Sequence, residues 1–160
     1  MSDWPPPGRT ENSRKPMIYA DTSCVLKVLR PEPLSDAVWS AINEEDLVIV
    51  SALAELETLV ELKADWTGGL LTRNQWRQVE ARFGVLRNWP PFEFRALPAA
   101  VFQTALRQHR NSGAKHCRSL DRLHLAAMEE LKVLRLMTHD EAQAKAAIEA
   151  GFRIIRPGPV

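Results

Sequence analysis

A short apolar run that leads into an aspartate occurs twice in this chain. Residues 17–20 read Met-Ile-Tyr-Ala and precede Asp21, and residues 134–137 read Leu-Arg-Leu-Met and end three positions before Asp140. Each run has the length of a buried strand and is followed by sequence that predicts a helix. In open α/β sheets, ligands bind at the carboxyl ends of the strands. Both aspartates are therefore predicted at the ligand-binding edge of such a sheet.

Strand-like and helix-like segments alternate along the rest of the sequence. Predicted strands cover residues 17–20, 47–50, 92–97, 134–137 and 153–155, and predicted helices cover residues 22–30, 34–44, 52–65, 72–89, 98–111, 119–132 and 141–150. Such alternation favours right-handed crossovers between parallel strands. The predicted fold class is therefore α/β, with a parallel sheet between two layers of helices.

Length and composition limit the class of protein. With 160 residues, of which 45% are hydrophobic and 26% charged, the chain has the composition of one globular domain with a sizeable core. A net charge of +1 gives no overall signature of polyanion binding, so nucleic-acid contacts must come from local patches. No apolar run approaches the roughly 18 residues that cross a bilayer, and no membrane association is expected.

The N-terminal segment and the cysteines indicate the domain limits and the compartment. Residues 1–16 contain three consecutive prolines and mostly polar residues. We expect a disordered tail over residues 1–16 and a single domain over residues 17–160. Cys24 and Cys117 lie far apart and lack the spacing of a metal site or a disulfide framework, which favours reduced thiols and a cytoplasmic location.

Four acidic residues occupy positions where a carboxylate needs an explanation. Asp21 and Asp140 follow strands, Glu57 lies in the helix after the second strand, and Asp121 lies in the first turn of a helix. Taken singly, the aspartates can cap helices or complement a helix dipole, and the glutamate can belong to a solvated face. If the strands that carry the two aspartates are neighbours, all four can meet in one cleft, where like charges repel. A divalent cation relieves that repulsion, and oxygen ligands without Cys or His favour Mg²⁺ or Mn²⁺.

Glu55 and Glu61, in the helix after the second strand, compete with Glu57 for this role. Leu53, Leu56 and Val60 recur at helical spacing, and we expect this stripe to pack on the sheet with Glu57 at its edge. Glu55 points about 200° away from Glu57 at roughly 100° per residue, so the two cannot both face the core. Helical spacing alone leaves the choice of glutamate open.

The four carboxylates stand in four short motifs. In chain order these are Tyr19-Ala20-Asp21-Thr22-Ser23, Ser51-Ala52-Leu53-Ala54-Glu55-Leu56-Glu57, Arg118-Ser119-Leu120-Asp121-Arg122-Leu123-His124-Leu125-Ala126-Ala127 and Thr138-His139-Asp140. The order and spacing of these motifs resemble those of the PIN-domain ribonucleases, and in particular the VapC-type toxins of toxin–antitoxin pairs. The resemblance covers residues 17–157, and its third motif is the most specific.

This resemblance implies a fold, an activity and a site. The fold is a five-stranded parallel sheet of order 3-2-1-4-5 flanked by helices, and the activity is metal-dependent endonucleolytic cleavage of RNA. The catalytic cluster that holds Mg²⁺ or Mn²⁺ corresponds here to Asp21, Glu57, Asp121 and Asp140. The resemblance favours Glu57 over Glu55 because the family glutamate lies six residues after the serine that stands here as Ser51. Ser23 and Thr138 match hydroxyls that line the site.

The resemblance also implies partners. Family members are usually homodimers, and the helices predicted over residues 34–44 and 52–65 are candidates for the interface. A small antitoxin protein is expected to insert a segment over the acidic site. The chain departs from the family at Ala54, where Thr is common, at His139, where an aromatic or small apolar residue is commoner, and over residues 66–89. These departures bear on the choice of RNA substrate and not on the metal site.

Basic residues cluster beside Asp121. Lys115, Arg118 and Arg122 are candidates for contacts with RNA phosphates or for support of the acidic cluster. A solvated, basic start of a helix explains any one of them equally well. His124 lies one turn after Asp121 and is interpreted as a hydrogen-bonded structural histidine.

Three other functions compete with that of a nuclease toxin. A housekeeping RNA-processing nuclease and a PIN-like domain that binds RNA or protein without cutting both use the same motifs, and both stay open. A phosphatase of the haloacid dehalogenase type also begins with an aspartate after a strand. That class needs a second acidic residue two positions later, where this chain has Ser23, and it is therefore disfavoured.

Overall fold

The computed structural model describes residues 17–113 and 116–159. The strands are β1 (Met17–Ala20), β2 (Leu47–Ser51), β3 (Phe92–Arg95), β4 (Arg135–Met137) and β5 (Arg153–Ile155). The helices are α1 (Thr22–Leu29), α2 (Ser35–Asn43), α3 (Ala52–Thr67), α4 (Arg73–Leu86), α5 (Val101–Asn111), α6 (Ser119–Glu130) and α7 (Glu141–Glu149). The strands form one all-parallel sheet of order β3-β2-β1-β4-β5. The predicted α/β class and the strand order 3-2-1-4-5 are both confirmed.

Two apolar cores lie on opposite faces of this sheet, because neighbouring residues of a strand point to opposite sides. Ile18 of β1 and Val48 of β2 belong to a core built with α1 to α4. Tyr19 and Ile49, the next residue of each strand, belong to a core built with α5, α6 and α7. All four side chains are fully buried. The fold is therefore three-layered, and its central strands are enclosed on both faces.

Strand β1 lies between β2 and β4, so two strand ends lie side by side. Tyr19 pairs with Leu136, and Ala20 pairs with Met137. Asp21 continues this register by donating its backbone N–H to the Met137 carbonyl over 3.2 Å. The strand order reverses between β1 and β4, and parallel sheets bind ligands at such a switch point.

Helix α3 buries a different face from the one predicted. Leu53 is buried as expected, but Leu56 and Val60 are 59% and 60% exposed. The buried arc instead continues through Ala54 and Thr58. Thr58 is tolerated there because its hydroxyl donates to the Ala54 carbonyl over 2.7 Å, within the helix. The predicted sheet-packing stripe is therefore wrong beyond its first member, and two of its residues form an exposed apolar strip.

Residues 66–89 contribute helix α4, which packs onto the first core. Thr72 begins this helix with a capping box: its Oγ1 accepts from the Gln75 N–H over 3.2 Å, and Gln75 Oε1 accepts from the Thr72 N–H over 2.9 Å. The rings of Trp66 and Trp76 stack with 4.3 Å between centroids and 6° between planes. This stack joins α3 to α4, so the segment that matched the family poorly is a packed part of the domain.

The expected tail over residues 1–16 lies outside the residues that the structure describes. Cys24 and Cys117 are both free thiols. No helix within the described ranges is both long enough and apolar enough to cross a membrane.

Candidate active site

The four predicted carboxylates line one open pocket of about 510 Å³. Asp21 enters it from the end of β1, Asp140 from the loop after β4, Glu57 from α3 and Asp121 from the first turn of α6. The pocket lies at the switch point of the sheet. The fold thus brings together all four acidic residues that the sequence singled out, and we call this the acidic pocket.

Asp21 is the N-cap of α1 and the most enclosed of the four carboxylates. Its Oδ1 accepts from Ser23 Oγ over 2.6 Å and from the Cys24 N–H over 3.2 Å, and its Oδ2 accepts from Thr138 Oγ1. Burial raises the pKa of Asp21 above its usual range, and the hydrogen bonds from Ser23 and Thr138 oppose this rise without cancelling it. A buried carboxylate of this kind is stabilised by a nearby cation.

Ser23 and Thr138 tie the ends of β1 and β4 together. Besides its bond to Asp21, Ser23 Oγ accepts from the His139 N–H over 2.9 Å. Thr138 Oγ1 likewise accepts from the Asp140 N–H over 2.9 Å. Each hydroxyl therefore links the Asp21 carboxylate to the backbone of the loop between β4 and α7, which fixes the distance between two of the four acidic side chains.

Arg118 places a positive charge between two of the carboxylates. Its Nε and Nη2 lie 2.6 Å and 3.2 Å from the Asp121 carboxylate oxygens, and its Nη2 lies 2.7 Å from Asp140 Oδ2. Asp140 also caps α7 by accepting from the Gln143 N–H over 2.9 Å. Burial opposes ionisation of Asp140, but the bonds from Gln143 and Arg118 outweigh it and hold the pKa of Asp140 below its usual range. Asp121 and Asp140 thus face a common point that accommodates a cation.

Glu57 reaches the acidic pocket from the edge of the buried arc of α3. Its Oε2 accepts from Thr22 Oγ1 over 2.8 Å and lies 2.5 Å from His124 Nε2. Burial alone raises the pKa of Glu57, but the bonds from His124 and Thr22 outweigh it, so the pKa lies below its usual range. Glu55 instead forms an ion pair with Arg87 on the far side of the helix. The helix therefore presents Glu57, and not Glu55, to the pocket, and Glu61, one turn further along the helix, also lines it.

His124 is 3% exposed and connects Glu57 to two further buried residues. Its Nδ1 lies 2.7 Å from Tyr19 Oη, which in turn lies 2.5 Å from Ser51 Oγ. The interpretation of His124 as a hydrogen-bonded histidine is confirmed, but neither Tyr19 nor Ser51 was expected as part of the site. The one available signal was a tyrosine in an otherwise apolar buried strand, since a buried phenol usually finds a hydrogen-bond partner.

The basic residues around the acidic pocket differ in part from the predicted set. Arg118 lines it, whereas Arg122 lines a second pocket of about 330 Å³ between α5, α6 and α7. Consecutive helical positions point about 100° apart, which turns Arg122 away from the carboxylates. Lys115 lies outside the described residues. Lys27 of α1 and Arg30, the residue at which that helix ends, line the acidic pocket and were missed.

The donor set of the acidic pocket fits a hard divalent cation, although its present arrangement is not a closed cage. Within residues 17–113 and 116–159, no three Asp, Glu, His or Cys side chains converge on one point as metal ligands do. Arg118 accounts for part of this, since its guanidinium takes up oxygens of Asp121 and Asp140. Carboxylate oxygens with no thiolate among them suit Mg²⁺ or Mn²⁺. The bridge through Arg118 also shows that two of these carboxylates can share one positive charge.

Solved structures with this fold include three bacterial proteins. VapC20 of Mycobacterium tuberculosis, described as a sarcin-ricin loop cleaving toxin, matches with a TM-score of 0.66 and 17% identity over 88% of this chain and 99% of that one. FitAcB of Neisseria gonorrhoeae matches at 0.65 and 18%, over 88% and 98%. VapBC2 of Rickettsia felis, bound to a DNA fragment from its promoter, matches at 0.63 and 9%, over 88% and 98%. At these identities the likeness is one of fold.

Family membership is shown by the sequence itself. A comparison with curated proteins gives no significant match. The family model described as the PIN domain, however, matches residues 18–149. This span contains nearly all of β1, runs through to the end of α7 and includes every carboxylate of the acidic pocket. The chain therefore belongs to the PIN domain family of nucleases.

Proposed function

We propose that this chain is a divalent-metal-dependent endoribonuclease and the toxin of a toxin–antitoxin pair. One observation carries the proposal, namely the convergence of four carboxylates in one pocket at the switch point of a PIN-domain sheet. Like charges that share one pocket raise the free energy of the site unless a cation compensates. A nuclease uses a cation of that kind for phosphodiester hydrolysis.

The roles of the carboxylates follow from their surroundings. Asp21, Asp121 and Asp140 are the proposed ligands of Mg²⁺ or Mn²⁺. When bound, such a cation neutralises charge on the scissile phosphate and makes water more acidic. Glu57 has a lowered pKa and two donors on one oxygen, so it is an ionised base that orients water or adds a further ligand. No serine or cysteine nucleophile is needed for this reaction.

Neighbouring side chains support this assignment. The hydroxyls of Ser23 and Thr138 restrain the rotamer of Asp21, and such supporting bonds commonly tune metal sites. Arg118 has a side chain that is 57% exposed at the pocket, which makes it the basic residue best placed to contact an RNA phosphate. Lys27 and Arg30 are less accessible to RNA, because their side chains are only 17% and 23% exposed.

The proposed partners are a second copy of the chain, a small antitoxin and an RNA substrate, in the cytoplasm. The solved neighbours include VapBC2 bound to a promoter fragment and FitAB bound to a DNA fragment, which supports a two-gene toxin–antitoxin arrangement here. The exposed pair Leu56 and Val60 lies on α3, one of the two helices considered for a homodimer interface. A housekeeping RNA-processing nuclease and a PIN-like domain that binds without cutting are the competing functions.

Cleavage of a mixed RNA pool tests the activity. Purified wild type is incubated with the pool, and with DNA of matched sequence, in Mg²⁺, Mn²⁺ or EDTA. We expect metal-dependent cutting of RNA that is lost in Asp140→Asn, because asparagine keeps the α7 cap and removes the charge. Asp36→Asn is the matched control, since Asp36 is an exposed residue of α2 outside the acidic pocket. RNA binding without cutting in any metal would instead favour a non-cutting PIN-like domain.

Expression of the chain in a bacterial host tests the toxin assignment. We expect growth arrest that depends on Asp140 and is relieved by co-expression of the small protein encoded next to it. Normal growth together with confirmed RNase activity in the purified protein would favour a housekeeping nuclease.

A further inference from the structure

A continuous hydrogen-bonded chain of polar side chains lies beneath the acidic pocket. Ser51 Oγ lies 2.5 Å from Tyr19 Oη, Tyr19 Oη lies 2.7 Å from His124 Nδ1, and His124 Nε2 lies 2.5 Å from Glu57 Oε2. Ser51 and Tyr19 are 0% exposed and His124 is 3% exposed. Burying three polar groups between a sheet and two helices is costly unless each has partners. Here each has partners, and this series of hydrogen bonds ends at Glu57, one of the four carboxylates of the acidic pocket.

The hydrogen bonds at the two ends determine which atom donates and which accepts at each link of this series. Glu57 Oε2 already accepts from Thr22 Oγ1 over 2.8 Å, so His124 Nε2 carries the hydrogen that faces it. With the hydrogen on Nε2, Nδ1 is the acceptor nitrogen, and Tyr19 Oη, 2.7 Å away, is placed to donate to it. Ser51 Oγ already accepts from the Ala54 N–H over 3.2 Å, which leaves its own hydrogen for the tyrosine oxygen. In the reverse direction, the Ser51 hydrogen has no acceptor among the residues that the structure describes.

Tyr19 is well placed to maintain this order of donors and acceptors. Tyr19 is fully buried, and its hydroxyl has Ser51 Oγ and His124 Nδ1 as its hydrogen-bond partners among the described residues. Its ring packs edge-on against His124, with 5.7 Å between ring centroids and 79° between planes. The tyrosine therefore restrains both the tautomer and the tilt of the imidazole.

The consequence for Glu57 is that its two oxygens have different roles. Oε2 accepts hydrogen bonds from Thr22 Oγ1, over 2.8 Å, and from His124 Nε2. No hydrogen bond to Oε1 is found within residues 17–113 and 116–159, and Glu57 lines the acidic pocket. The carboxylate is thus anchored through one oxygen and offers the other to whatever the pocket binds.

We propose that His124 is a positioning residue, held in its Nε2–H tautomer by Tyr19 and Ser51, that fixes the Glu57 carboxylate so that Oε1 faces the acidic pocket. The proposal rests on the proposed nuclease function, because Glu57 matters only if the pocket is catalytic. It also explains why α6 carries a buried histidine one turn after Asp121. A leucine there would fill the same space without placing a donor on the glutamate.

The tautomer is tested first, by a measurement that does not depend on cleavage. The ¹⁵N chemical shifts of a histidine side chain distinguish the two neutral tautomers, and His124 is assigned by its absence in His124→Gln. We expect the Nε2–H form in metal-free wild type and a mixture of tautomers in Tyr19→Phe. An Nδ1–H tautomer in folded wild type would overturn the proposal whether or not the protein cuts RNA.

The positioning role is then tested with two substitutions at the same residue. His124→Leu removes the donor, whereas the side-chain amide of His124→Gln can still donate to Glu57. We expect single-turnover RNA cleavage to fall about 10- to 100-fold in His124→Leu at unchanged RNA affinity, and the Gln variant to retain most of the rate. Equal losses of cleavage rate in both variants at matched melting temperatures would show that His124 acts through packing alone and would overturn the proposal.

Tyr19→Phe covers the case in which His124→Leu does not fold. This variant keeps the ring and the imidazole and removes only the hydroxyl that directs the tautomer. We expect a smaller fall in cleavage, about threefold to tenfold, with unchanged RNA affinity. A wild-type rate in folded Tyr19→Phe, together with a mixture of His124 tautomers in that variant, would contradict the proposal. An inactive wild type with the expected tautomer would instead contradict the proposed function.

Discussion

Arg118 Nη2 lies 2.7 Å from Asp140 Oδ2, and the same guanidinium holds the Asp121 carboxylate through two more bonds. The acidic pocket therefore carries its own cation, supplied by the residue just before α6. A divalent ion that binds both aspartates must take oxygens from this arginine. The same side chain, once displaced, is free to contact a phosphate at the mouth of the pocket.

Arg118→Gln is expected to tighten Mn²⁺ binding and to weaken RNA binding. The arginine side chain is 57% exposed, and exposed ion pairs contribute only about 0.2–1 kcal/mol, so we expect the Mn²⁺ Kd to fall about 1.4-fold to fivefold. The RNA Kd should rise, because a phosphate contact is lost. Calorimetric titration with each ligand measures both values. Arg107→Gln is the control, since Arg107 pairs with Glu129 away from the pocket; equal effects of the two changes would argue against a local competition.

Glu57→Gln and Glu55→Gln form a matched pair on one helix. Glu57 lines the acidic pocket, whereas Glu55 pairs with Arg87. Removing a base that orients water costs about 10²-fold in rate, so we expect a fall of this order in single-turnover cleavage for Glu57→Gln. Glu55→Gln should cut at the wild-type rate. A larger loss in Glu55→Gln would show that the wrong glutamate was assigned to the site.

Asp21→Asn is expected to stabilise the metal-free protein at neutral pH. Burial raises the pKa of Asp21 in the folded state, so the stability that its protonated form contributes is present at low pH and is lost as the pH rises through the raised pKa. Asparagine stays neutral and still caps α1. Melting in EDTA at pH 7 should therefore show a higher Tm for the variant, by roughly 2–4 °C for each kcal/mol gained.

The pH series supplies the control for this prediction. Below the ordinary aspartate pKa of about 3.9 both proteins carry a neutral side chain at position 21, and the difference in Tm should shrink toward zero. A variant that is less stable than wild type at every pH would show that the hydrogen bonds to the Asp21 carboxylate outweigh the cost of burying its charge.

The strand-end motifs predict a parallel α/β fold, whereas the strand order, and with it the meeting of the four carboxylates, was implied by the resemblance to the family. The apolar runs before Asp21 and Asp140 imply parallel strands, and adjacency of those strands at the switch point follows once the sheet order is known. The apolar runs and the aspartates that follow them are local patterns, so they can be recognised in a single sequence. The choice of Glu57 depended on the resemblance to the family, since helical angles alone did not separate it from Glu55.

Other features depend on contacts between distant segments, which periodicity does not report. Leu56 and Val60 are spaced like core residues, yet α3 is rotated so that both are exposed. Arg122 seemed equivalent to Arg118, but the helix turns it toward a separate pocket. The bond between His124 and Tyr19 joins positions 105 residues apart. Rotation of a helix and long-range pairing of polar groups are set by packing, and only the folded chain shows them.

Cleavage of one mapped RNA by wild type and Asp21→Asn across a series of Mn²⁺ concentrations tests the central claim most directly. The claim is that the acidic pocket binds the metal that drives RNA hydrolysis. We predict that wild-type rates rise with Mn²⁺ to a plateau and vanish in EDTA, and that the folded variant is slower by at least about 100-fold, or roughly 2.7 kcal/mol, at every concentration. Equal, metal-dependent rates in the two proteins would place the metal and the chemistry outside the acidic pocket and would contradict the account.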